Sequence, residues 1–172
     1  MKSIICIVLF FALCFGFKAQ AQEASIKTVS EELETLQGDA KEKLEFLMYG
    51  SPPKLLFDEA DKPVYLWNTD KKIENVEITG KGQFDFLLSD TYANDYRNTK
   101  ILVLRIKKSE IFDLKSEELK FFNSLEYLVV QFEEENSRPS ILNQLTSLKL
   151  VEKLKDVNFL LEKIDNEDGH EG

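Results

Sequence analysis

The chain has 172 residues, 43% of them hydrophobic, with 31 acidic side chains against 22 basic ones and a formal charge of −9. That length suits a single domain with its own core. The acidic balance argues against nucleic acid and anionic lipid as partners, because both require a basic face.

Residues 1–21 have the parts of a cleavable export signal. Lys2 supplies a positive start, Ile4 to Phe17 is an apolar run, and Lys18-Ala19-Gln20-Ala21 provides a polar exit with a small-x-small site. The run spans 14 residues, short of the roughly 20 that cross a bilayer as a helix. Cys14 follows Leu13 rather than a small residue, which sets a lipoprotein signal aside. Cleavage is expected after Ala21, with a periplasmic or secreted product. No hydrophobic span follows, so no membrane anchor is expected after cleavage. Both cysteines, Cys6 and Cys14, lie in the leader, and the mature domain must be stable without disulfides. Losing two lysines with the leader leaves 20 basic against 31 acidic residues, a net charge of −11.

The expected organisation is a single α/β domain over 22–164, made of an N-terminal helix and hairpin (22–72) and a repeat-like region (73–164). A polar, acidic tail at 165–172 reads as disordered. Val29, Leu33 and Leu36 have helical spacing, and Glu31, Glu32 and Glu34 crowd the first turns, where the helix dipole favours acids. Gly38 breaks the run, a second helical piece covers Lys41 to Met48, and Gly50-Ser51-Pro52-Pro53 ends it. Leu55-Leu56-Phe57 and Val64-Tyr65-Leu66-Trp67, separated by a polar turn ending in Pro63, predict a hairpin. Trp67 reads as a core anchor.

From Ile73 the spacing apolar-x-x-apolar-x-apolar recurs. It begins at Ile73, Ile101, Leu125 and Leu154, and puts Val76, Ile78, Leu104, Ile106, Leu128, Val130, Val157 and Phe159 on the core side of four strands. Phe84-Asp85-Phe86 and Phe112-Asp113-Leu114 stand at the same distance past the first two starts. Helical segments are expected from Ser116 and from Ser140 as N-cap through Ile141 to Lys153. A further match over Leu145 to Leu150 is out of phase and reads as helix.

The segment from Phe112 to Val130 resembles one period of a leucine-rich repeat protein, in which a short strand, a loop and a helix repeat every 20–29 residues. The resemblance covers Ile73 to Leu161. It implies a short irregular stack of parallel strands and helices with one sheet face free to bind protein or peptide. The asparagine expected past each strand is replaced by Lys81, Ser109, Glu133 and Glu162.

The chemistry is sparse. The one histidine, His170, falls in the tail, which excludes Ser-His and Cys-His nucleophile systems from the mature domain. No Cys/His cluster suggests zinc, Gly80-Lys81-Gly82 is too short for a phosphate loop, and Glu133-Glu134-Glu135 lacks calcium-loop spacing. No catalytic residue, metal ligand or cofactor is therefore nominated. The candidate site is the sheet face opposite the core, where Val103, Tyr127 and Val129 would form an exposed apolar patch with Arg105 beside Glu77; the competing reading covers that face with a helix or the hairpin. The expected function is an exported, non-enzymatic interaction module for a protein or peptide. The alternative is a small extracytoplasmic hydrolase or carbohydrate-active protein using paired carboxylates.

Overall fold

The computed structural model describes residues 26–58, 62–67 and 72–164. The leader (1–21) and the acidic tail (165–172) lie outside the described residues. The described chain is an α/β unit built on one sheet of seven strands: β1 (Lys27–Thr28), β2 (Lys54–Phe57), β3 (Val64–Leu66), β4 (Asn75–Thr79), β5 (Ile101–Ile106), β6 (Tyr127–Phe132) and β7 (Asn158–Lys163). Their order across the sheet is β1-β7-β6-β5-β4-β2-β3. All neighbours are parallel except β3, which returns antiparallel on β2 as the expected hairpin.

Strands β4 to β7 lie side by side in chain order, and their connections pack on one face. That first face carries the larger core, in which Val76, Ile78, Leu104, Ile106, Leu128, Val130 and Phe159 meet Phe84, Leu87, Leu119 and Ile141 from the connections. All eight expected core residues are buried. Phe84 and Phe112, the equivalent residues of successive units, meet edge to face with centroids 6.4 Å apart.

The connections are tighter than the sequence suggests. The β4–β5 link is mostly 3-10 helix over Lys81–Leu88 and Asp90–Tyr92, followed by the single turn α3 (Ala93–Tyr96). The helix expected from Ser116 is a 3-10 turn over Ser116–Leu119. In both places the buried residues recur every third position, Phe84 with Leu87 and Leu119 with Phe122, and a 3-10 helix stacks residues i and i+3 on one line. Only the β6–β7 link holds a full helix, α4 (Arg138–Lys149), with Pro139 in its first turn. It starts earlier than expected, with Ser137 as N-cap and Ser140 inside the helix, and it includes Leu145 and Leu148 of the out-of-phase match, with Leu150 as C-cap.

Two N-terminal helices, α1 (Val29–Thr35) and α2 (Asp39–Tyr49), lie on the second face. Thr28 caps α1: its hydroxyl accepts from the Glu31 N–H, while the Glu31 carboxylate accepts from the Thr28 N–H at 2.7 Å. These hydrogen bonds hold the Glu31 carboxyl below the usual range. Gly38 separates the helices at φ +55°, a left-handed backbone that favours glycine.

Candidate functional site

The second face divides in two. Over β5, β6 and β7 it is closed. Ile101, Val103, Tyr127, Val129 and Leu160 form a second core with Val29 of α1 and with Leu44 and Leu47 of α2. Val103 is 3% exposed, Tyr127 7% and Val129 0%. The apolar patch expected there is therefore the floor beneath two helices, and burial raises the Tyr127 phenol above its ordinary pKa. Apolar side chains of this size on a parallel strand need cover on both faces.

Polar contacts fix the lid at three points. The Glu126 carboxylate, just before β6, takes Lys43 of α2 at 2.5 Å and Lys100 at 3.2 Å. The Asn75 amide donates to the Leu47 carbonyl at 2.8 Å. The Tyr49 hydroxyl donates to Glu162 of β7 at 2.8 Å. Burial and that carboxylate push the Tyr49 phenol up to about 12.

The register also differs from simple repetition. Ile78 pairs with Leu104, and Leu104 with Val130, so adjacent units are offset by two residues. An even offset keeps every side chain on its face but changes its neighbours. Arg105 stands beside Thr79 and Gln131 rather than beside Glu77, which aligns with Val103. Glu77 instead pairs with Lys54 of β2 at 2.6 Å.

Beyond Asn75, which α2 covers at the start of β4, the second face is open over β2, β3 and the rest of β4. Leu56 and Leu66 are half-buried there and Val64 is 45% exposed. Trp67, expected in the core, is 51% exposed. Its backbone turns to φ +52°, an outlier for a bulky residue. Strand alternation would have kept Trp67 on the face of Tyr65, whose hydroxyl bonds Asp95 at 3.0 Å. Instead the Lys54 ammonium sits 5.9 Å from the Trp67 ring centroid, which places the indole with the second-face residues.

At the C-terminal end of this face, Thr79, Arg105, Gln131 and Glu162 form one row across four strands. Gln131 donates to Glu162 at 2.7 Å. Arg105 is half-buried, and among the described residues no carboxylate or carbonyl engages its guanidinium. Of the five residues nominated from sequence, Glu77 and Arg105 reach solvent on this face, while Val103, Tyr127 and Val129 do not. Lys54, Val64 and Trp67 were missed. The alternation of Val64 and Leu66 carried a signal for two same-face apolar positions, but the turn at Trp67 had none. Among the described residues no group of His, Cys, Asp or Glu could hold a metal ion, and no helix is long and apolar enough to cross a membrane.

No protein-family model, curated protein or solved structure matches the chain.

Proposed function

We propose that the chain is an exported interaction module, a short irregular leucine-rich-repeat-like stack, that binds a protein or peptide through the open part of its second sheet face. The repeat-like reading is supported by β4 to β7, which are parallel, adjacent in chain order and connected over one face. The contact between Phe84 and Phe112 supports it as well. The binding reading rests on one observation above the others: α1 and α2 cover β5 to β7, α2 reaches only the start of β4 at Asn75, and β2, β3 and the rest of β4 are left uncovered. Trp67 and Val64 are left facing solvent there with Lys54 and Glu77, and Arg105 stands at the C-terminal end of the neighbouring β5. Aromatic and arginine side chains are the usual anchors of such contacts.

A photo-crosslinking amino acid at Val64 tests this. It should trap a discrete partner from the extracytoplasmic fraction, and the same probe at Leu150, 85% exposed at the end of α4, should not. Trp67→Ala should abolish the Val64 product. Equal trapping from both positions, or none from Val64, would reject the open face as the binding surface.

A further inference from the structure

Arg105 gives the open face a chemical preference. The charges around it are otherwise matched. Lys54 is paired with Glu77, and Glu162 accepts from both Gln131 and Tyr49. The Arg105 guanidinium has neither an ion pair nor a hydrogen bond among the described residues. Arg105 is half-buried, and an arginine in that setting lays its stem along the sheet while its charged head stays at the solvent boundary. Guanidinium presents a planar fork of donors, and in an unmodified peptide the group that fills it with two parallel hydrogen bonds is a carboxylate.

The sheet fixes where the rest of the ligand lies. From β5 across β4 to β2 is two strand spacings, about 10 Å, or about three residues of extended chain; β3 is one spacing further. Leu56 and Val64 share the row of Glu77, two residues nearer the start of the parallel strands than Arg105, and Trp67 lies beyond the row of Lys54 and Leu66, so Val64 stands about 16 Å from Arg105 and Trp67 further. We infer that the open face binds an extended peptide segment through an Asp or Glu side chain on Arg105, with an apolar or aromatic residue about five positions away against Val64, on the side toward Trp67. This rests on the binding reading above and adds the chemistry of the partner. Glu77 lies along the path, and its pairing with Lys54 keeps it from repelling the incoming carboxylate.

Panning a phage-displayed library of random heptapeptides on the full chain tests the inference. Recovered peptides should share an acidic residue and an apolar one at that spacing. In a synthetic copy, Asp→Asn or Glu→Gln should weaken binding about 10- to 100-fold, the range for a hydrogen bond to a charged group. Arg105→Gln should weaken the acidic peptide by a similar factor while leaving the amide peptide unchanged, so that the two losses do not add. Peptides that depend on Trp67 but are indifferent both to the amide change and to Arg105→Gln would overturn the carboxylate inference and leave the binding surface standing. Peptides indifferent to Trp67→Ala as well, or no enrichment, would overturn both. The peptide-side substitution keeps the test decisive even if Arg105→Gln fails to fold.

Discussion

Glu126 shows how one side chain can couple two layers. Burial alone would raise its carboxyl, yet the hydrogen bonds and charges of Lys43 and Lys100 outweigh burial and hold it below the usual range. A carboxyl whose folded pKa is depressed stabilises the fold above its unfolded pKa, and that contribution is lost as pH falls through the lower folded value. Wild type should therefore exceed Glu126→Gln in denaturation midpoint at pH 7, and the gap should start to close as pH falls below the ordinary carboxylate value of about 4 and be lost below the lower folded value. A gap that persists unchanged at pH 3 would assign the effect to packing. The difference should be modest, since Glu126 is about one third exposed and solvent screens the pair. Trp67 is the opposite case. Its left-handed backbone carries local strain and leaves a large ring in water, where burial contributes little.

At the level of elements, the central strands carry the stability. Leu104 and Leu128 are fully buried in the larger core, and truncating either to alanine removes apolar area and leaves a cavity. Leu104→Ala and Leu128→Ala should each cost about 2–5 kcal/mol in equilibrium unfolding; a loss below about 1 kcal/mol at both would contradict their core placement. The strands and their inward faces were legible in the sequence because period-two alternation survives any even shift of register. The rows were not legible. Ile73 opens the first motif two residues before its strand, and Leu154 lies in a 3-10 turn ahead of β7, so counting from motif starts misaligned Glu77 with Arg105. The 3-10 connections escaped because an i, i+3 spacing also fits an α-helix.

At the scale of the molecule, the sequence left two readings of the second face, bare or covered, and burial of Tyr127 and Val129 decides for cover. The helical pattern of residues 29–48 was plain, but nothing local to it specified which strands it would meet. The candidate site was accordingly only partly visible: Arg105 and Glu77 could be placed on the right face, while the boundary between its closed and open halves depends on where α2 ends. The proposal of export has its own test. Product recovered outside the cytoplasm should begin at Gln22 on N-terminal sequencing, and a membrane-held product retaining Met1 would refute it.

The pairing of β1 with β7 joins the first described strand to the last, Lys27 opposite Leu160. Helices α1 and α2 therefore finish synthesis well before the strands they must cover. Contacts so far apart in sequence are closed late, because the loop entropy must be met before they return any stability. Until then Val103, Tyr127 and Val129 lack their cover, and the emerging chain presents that apolar surface to whatever holds it. Closing that gap is the step at which misassembly competes with folding.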